Sequence, residues 1–205
     1  MKKKIIVILF LTILLLIFLL YLYSYKMTPL LVKYSKIKSK KIAIDIISKN
    51  VSDDILKILD KEELFLVERD NLGNIETVDY NSKVVNEILS ETSKRVVKNF
   101  EELESINDGV IMRIPVGIIS NNVFIQGIGP KIPVKILLDG NVLTSLDTKV
   151  KEYGINSALI EVSVKIEANI DVVIPFSTTE IKVINNVPIS LKIAKGNVSS
   201  ILNNK

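Results

Sequence analysis

The stretch that most limits what this chain can fold into is residues 158–175. Its even positions are Ile160, Val162, Val164, Ile166, Ala168, Ile170 and Val172, and its odd positions are Glu161, Ser163, Lys165, Glu167, Asn169 and Asp171. An apolar–polar period of two held this long describes a β-strand with one buried and one solvated face. Ordinary strands have about 5–6 residues, so this one must pair with more than one short neighbour or bend partway. Pro175 ends it, because proline has no N–H to give to a ladder. With 205 residues, 48% of them apolar, the chain has ample material for a core in one domain or two small ones.

Residues 5–23 are apolar except for Thr12. As a helix they extend about 28 Å, enough for the hydrocarbon core of a bilayer. A cleavable signal peptide would have a shorter apolar run followed by a small-x-small site. Here the run leads into Tyr21-Leu22-Tyr23-Ser24-Tyr25-Lys26, the texture of an interfacial aromatic belt. The expectation is an uncleaved single-pass anchor. Lys2, Lys3 and Lys4 favour a cytoplasmic N-terminus, whereas Lys26, Lys33, Lys36, Lys38, Lys40 and Lys41 pull the other way. The short tail with three lysines is the harder segment to translocate, so the bulk of the chain is expected outside the cytosol. Residues 1–44 carry nine lysines and no acid, while residues 45–205 carry 18 basic and 23 acidic residues. The basic pI therefore describes the neighbourhood of the anchor and does not point to nucleic acid. Lys33, Lys36, Lys38, Lys40 and Lys41 are candidates for contact with anionic headgroups, or else a solvated helix face.

Beyond the anchor, Thr28-Pro29 reads as an N-cap followed by proline at the first helical position. Leu30, Tyr34, Ile37, Ile44, Ile47, Val51, Ile55 and Ile58 then form an apolar stripe, which Asp60-Lys61-Glu62 ends. Residues 64–69 and 75–80 read as a hairpin turned at Gly73. Asn81 or Ser82 caps a second helix with Val85, Ile88, Leu89, Val96, Phe100 and Leu103 on one side and a Glu91–Arg95 pair outside. Glu101, Glu102 and Glu104 disfavour its C-terminus, so fraying is expected before an Asn107-Asp108-Gly109 turn. Residues 110–114, 131–138, 142–150, 179–184 and 189–193 read as further strands, with turns at Asp139-Gly140 and Gly154-Ile155-Asn156.

The chain has no histidine and no cysteine. Ser-His and Cys-His catalysis, imidazole or thiolate zinc sites and CxxC redox chemistry are thereby excluded. Ser35 and Lys38 have Ser-x-x-Lys spacing, but no Lys-Thr-Gly or Ser-Asp-Asn follows, and chance explains the match better. Gly127-x-Gly129 lacks a third glycine and a Lys-Ser/Thr, and a strand follows it, so it reads as a turn rather than a phosphate cradle. The acidic pairs Asp53-Asp54, Glu62-Glu63 and Glu101-Glu102 point in different directions on helices and suit solvated faces. Asp70, Asn71 and Asn74 belong to a turn, since no twelve-residue calcium loop with a closing glutamate surrounds them. No cofactor or metal is expected.

Residues 110–196 resemble the sporulation protein YunB family of endospore-forming Firmicutes. The resemblance is carried by Ile114-Pro115-Val116-Gly117, Gly127-Ile128-Gly129-Pro130-Lys131-Ile132-Pro133-Val134, Gly154-Ile155-Asn156 and Val173-Ile174-Pro175-Phe176-Ser177-Thr178. The hairpin and the N-terminal anchor fit as well. Two stretches depart from it. Ser157-Ala158-Leu159 stands where related membrane-anchored spore proteins often show Gln-Thr and a histidine. Gly196-Asn197-Val198-Ser199 replaces a Gly-x-x-Pro-x-Tyr ending. The resemblance implies a membrane-associated protein needed for spore formation and assigns no catalytic residue. Gly127, Gly129, Pro130, Gly154, Asn156 and Pro175 are the positions expected to matter structurally.

The expected architecture is α+β. It comprises an anchor (1–27), a basic juxtamembrane helix with an α-β-β-α portion (28–108), an antiparallel β-rich portion with one long strand (109–197), and a loose tail (198–205). The element order from 29 to 114 also resembles ring-building modules of spore and secretion-system proteins, an argument from order alone. Three functions remain open. The first is a non-enzymatic structural or assembly factor at the membrane around the forespore, contacting other spore envelope proteins or further copies of itself. The second is an extracytoplasmic module that binds lipid or envelope polymer. The third, a carboxylate-dependent hydrolase, has no motif behind it.

Overall fold

The computed structural model describes residues 2–69, 71, 75–120, 124–153, 157–175 and 177–195. The elements run α1 (Lys2–Ser48), α2 (Val51–Leu59), β1 (Phe65–Arg69), β2 (Ile75–Tyr80), α3 (Ser82–Asn107), β3 (Val110–Pro115), a 3-10 turn (Val116–Ser120), β4 (Lys131–Glu152), β5 (Ser157–Ile174) and β6 (Ser177–Lys195). The fold is α+β, as expected. β3-β4-β5-β6 form one antiparallel sheet in that order, and β1-β2 form a separate hairpin. The α-β-β-α-β order therefore does not close into a single module, because β3 belongs to the large sheet.

The alternating stretch is β5, and its even residues from 162 to 174 are all buried. It is not the only long strand. β4 and β6 have 22 and 19 residues, so each of the two expected strand pairs is one continuous strand. The Asp139-Gly140 pair is not a turn. Asp139 faces Asn169 and Leu143 faces Glu167, so the intervening residues bulge out of β4 while the strand continues. Gly140, at φ 70°, supplies the left-handed conformation the bulge requires. The bulge is held from α3, where the Ser93 hydroxyl donates to the Val142 carbonyl at 3.2 Å and the Thr144 hydroxyl donates to the Leu89 carbonyl at 3.0 Å. In β6 the register slips at Pro188, which faces Ser163 while Ser190 faces Val162. An edge strand with a bulge tolerates a proline that a central strand would not.

All helix packing falls on the even-residue face of β5. Here α1 differs from the expected stripe. The buried positions are Leu31, Ser35, Ser39, Ala43 and Ile47, continued by Val51 and Ile55, while Leu30 and Ile37 are exposed. Steps of four with small residues in the middle let the helix axis approach the sheet closely. Thr28-Pro29 does not start a helix either. Pro29 lies inside α1, which continues through it despite the lost N–H donor. The helix stops earlier than expected, at Ser48, and Asn50 takes a left-handed φ of 61° before α2 begins. Asn99 of α3 explains the stop. It is 4% exposed, and its Nδ2 donates to the carbonyls of Ile46 (2.8 Å) and Lys49 (2.9 Å), the orphan acceptors of the last turn of α1. Arg95, expected to pair with Glu91, instead reaches Asp54 in the first turn of α2, and Glu91 takes Lys94. Asn81 caps α3 by accepting from the Val84 N–H, and α3 continues through the glutamates expected to fray it, to Asn107. Asp108 (φ 53°) and Gly109 (φ 72°) make the expected turn.

The helices fix the orientation of the sheet. Leu31 packs with Ile114, Val134, Val172 and Ile174. At the other end of that stretch, Ser48 accepts at its hydroxyl from Asn185, whose strand partner is Ile166. From 31 to 48 the helix rises about 26 Å. From 174 back to 166 the strand also covers about 26 Å. The strands thus run nearly along the helix, with the turn at Pro175 towards the N-terminal part of α1 and the β4–β5 end away from it. That far end is covered on its inner face by the hairpin, through the Tyr80 and Thr148 hydroxyls (2.7 Å) and Lys192 over the Phe65 ring (5.0 Å).

The expected membrane segment, 5–23, is the N-terminal part of α1. Its described apolar side chains, at 6, 8–11 and 13–18, are each at least half exposed. Among the described residues no helix is long and apolar enough to cross a membrane. Gly73, Gly154, Asn156 and the tail 198–205 lie outside the described residues.

Three substitutions at two positions test this packing. Ser39 is fully buried and its hydroxyl has no hydrogen-bond partner. Ser39→Ala should therefore raise the unfolding free energy by about 0.5–1.5 kcal/mol, whereas Ser39→Leu should lower it by about 1–3 kcal/mol through overpacking. Asn99→Ala should lower it by about 1–3 kcal/mol, because two carbonyls in a buried corner lose their donor. Denaturant unfolding of the purified variants measures each change.

Candidate functional site

What the chain can do is determined by the groups that its own packing leaves outward. The odd positions of β5 face away from the helices, and Leu137, Leu159 and Val173 on that side belong to neither buried cluster. Register places Glu167 in the centre of this face, between Leu143 on β4 and Ile184 on β6. Its two carboxylate oxygens take Lys165 and Lys182, each at 2.5 Å. The hydrogen bond from Lys165, followed by that from Lys182, holds the Glu167 carboxyl down to about 2, and Lys165 is raised in turn by Glu167. A carboxylate so stabilised stays ionised and is a poor proton acceptor near neutrality. It acts as a cross-strand tie, not as a base.

Towards the far end of the sheet the outward face becomes apolar. Leu159 faces Ile193 across β5 and β6, and Leu191 faces Glu161. On that face Leu191 is 69% exposed, Tyr153 55% and Ile193 46%, and on the opposite face Val150, whose partner is Ile160, is 65% exposed. These residues cluster where β4 and β5 turn back, beyond the cover of the hairpin. Isolated exposed apolar residues are ordinary, whereas these stand as a group at the tip of a three-stranded ribbon. Sequence patterning gives no signal for it. Leu191 and Ile193 share odd parity with buried Val183 and Val187, and they reach the outward face because the bulge at Pro188 adds one residue to β6.

The residues singled out by spacing fall as follows. Gly127, Gly129 and Pro130 lie together in the exposed loop between the 3-10 turn and β4, and Pro175 lies in the β5–β6 turn at the same end of the sheet. Gly129 has φ 105°, and the Pro130 carbonyl accepts from the Val116 N–H at 3.0 Å. Ser35 is buried against the sheet, while Lys38 is exposed and stands over the Tyr34 ring, so the Ser-x-x-Lys pair does not meet. Asp54 is bound to Arg95 and Lys57, and these contacts, led by the Arg95 hydrogen bond, lower its carboxyl from the ordinary value. Glu62 pairs with Lys83 at 2.5 Å and Glu102 with Lys49 at 3.8 Å. These acids tie helices together and do not converge on a shared cleft. Asp70 and Asn74 lie outside the described residues, and among the described residues no group of carboxylates is placed to hold a metal ion. Lys33, Lys38, Lys40 and Lys41 are exposed along α1, and Lys36 is half-buried beside Ser177 and Thr179.

Comparison with known proteins was made against families, curated proteins and solved structures. The family model of sporulation protein YunB matches residues 111–201. Sporulation protein YunB of Bacillus subtilis (strain 168) is 32% identical over 190 residues, which cover 90% of this chain and 75% of that protein. No solved structure matches the chain.

The central ion cluster has a definite pH signature. A carboxyl held near 2 when folded, against an ordinary 4.5, contributes stability that is fully present above about pH 4.5 and is lost as pH falls through about 2. Glu167→Gln removes that dependence. The difference in denaturation midpoint between Glu167→Gln and the parent should therefore shrink as pH drops through this window. It should also shrink with added salt at neutral pH, because the cluster is partly solvated.

Proposed function

The chain belongs to the sporulation protein YunB family, and from that premise we propose that it serves spore formation without catalysis, as a membrane-anchored assembly factor at the membrane surrounding the forespore. Residues 5–23 are the anchor in this reading. It is supported by their apolar sequence and by the described apolar side chains among them, at 6, 8–11 and 13–18, which stand at least half exposed. The N-terminal lysines place the start of the chain in the cytosol and the sheet on the other side, facing the space around the forespore. Lys33 lies about 15 Å along the helix from Tyr23 and Lys41 about 27 Å, so a helix near the membrane normal brings Lys33, and not Lys41, within reach of anionic headgroups.

The observation that carries contact over chemistry is the apolar far end of the sheet, formed by Val150, Tyr153, Leu191 and Ile193. Along α1 and then the strands, it is held roughly 50 Å from Leu31. The inner face of the sheet is filled by the chain's own Val162, Val164, Ile166 and Ile170, all fully buried, so its apolar capacity is spent on the core. The partners at the far end are other spore envelope proteins or further copies of this chain.

Deleting the protein should impair spore formation and leave vegetative growth unchanged. In a complemented strain, Leu191→Asp with Ile193→Asp should abolish sporulation while the protein still accumulates at the membrane. Single Asp→Asn or Glu→Gln changes should leave sporulation largely intact. Loss of all function from one such amide change in a folded, correctly located protein would overturn the reading in favour of chemistry.

A further inference from the structure

The connection between β3 and β4 presents a second apolar surface, at the end of the sheet opposite to the contact surface just described. Phe124 is 91% exposed, Ile128 61% and Ile125 40%. Their turn is held by backbone bonds. The Ile128 N–H donates to the Ile125 carbonyl at 3.0 Å, and the Gly117 N–H donates to the Ile128 carbonyl at 2.9 Å. A Cβ at 117 would lie 1.8 Å from the Ile125 carbonyl oxygen, so only glycine lets the turn close on the 3-10 segment. Backbone bonds thus hold the turn in a form that leaves the three side chains exposed.

Their position follows from the helix. Ile118 of the 3-10 turn packs with Leu31, Val32 and Tyr34 of α1. Leu31 lies about 12 Å along α1 from Tyr23, the last residue of the apolar run, and the headgroup layer is about 5–7 Å thick on each side. The chain leaves the sheet at Pro115 and re-enters at Lys131, both on this side, so the turn projects from the sheet towards the anchor segment. The charge there suits the same surroundings. Residues 113–135 contain Arg113, Lys131 and Lys135 and no acidic residue, and the facing part of α1 has none before Asp45. Lys135 is paired with Asp108, which leaves Arg113 and Lys131 beside the apolar tip to meet an anionic membrane surface.

We propose that Phe124, Ile125 and Ile128 dip into the headgroup–acyl boundary of the bilayer that holds residues 5–23, as a second contact that sets how the sheet is rolled about the helix axis. This rests on the anchor reading above. The chain has no cysteine, so single cysteines report single places. Gly127→Cys puts a fluorophore where nothing lies within 4 Å of the new Cβ. Leu14→Cys marks the anchor, and Lys149→Cys marks the far part of the sheet. The full chain is reconstituted in vesicles of phosphatidylcholine and phosphatidylglycerol carrying spin labels both near the headgroup and deep in the acyl chains. The probes at 14 and 127 should be quenched and the probe at 149 should not. In the Phe124→Ser, Ile128→Ser background, quenching at 127 should be lost while quenching at 14 persists. Quenching at 14 without quenching at 127 overturns the loop contact and leaves the anchor standing. Quenching at neither overturns both, and unchanged quenching at 127 in the serine background overturns the assignment to these side chains.

Discussion

The fold depends on one buried amide. Asn99 donates from a single nitrogen to two carbonyls at the end of α1, and so decides where that helix stops and where α2 turns away. Without that donor the Ile46 carbonyl would keep only the Lys49 N–H, and the Lys49 carbonyl would lose the bond Asn99 gives it. Because Asn99 sits on α3, the same bonds fix α1 against α3. Because α3 in turn holds the β4 bulge through Ser93 and Leu89, both helices are set on the sheet in one arrangement. The Arg95–Asp54 pair, one turn earlier on α3, closes the corner from its other side.

How much of this could be read from the residues depends on how local the cause is. Period two in 158–174 is local, and the strand, its buried face and its end at Pro175 all follow from it. The turn at Asp108-Gly109 and the cap at Asn81 are local as well. The α1 stripe was misread because an apolar count passes over Ser35 and Ser39, which are buried for their size and not for their hydropathy. Asp139-Gly140 reads as a turn for a related reason. The same residues make a turn or a bulge, and the choice rests with the partner strand. Arg95 had a good neighbour at Glu91 and took Asp54, which only the tertiary fold brings near.

The contact surfaces were the least legible part. Spacing drew attention to glycines and prolines, and these do shape the loop beside the 3-10 turn. Leu191 and Val187 look alike along the chain, both apolar at odd positions, and the register slip at Pro188 turns one outward while the other is buried.

The continuity of α1 through Pro29 has a mechanical consequence. A loop between residues 5–23 and the folded part would be a swivel, whereas the continuous helix is a shaft. Under the proposed anchoring, a tilt of about 10° in the bilayer would sweep a tip roughly 50 Å away through about 9 Å, and lipid thickness and neighbouring helices would be felt as displacement at the far end of the sheet. If the shaft yields anywhere it yields at Pro29, where one backbone hydrogen bond is already missing.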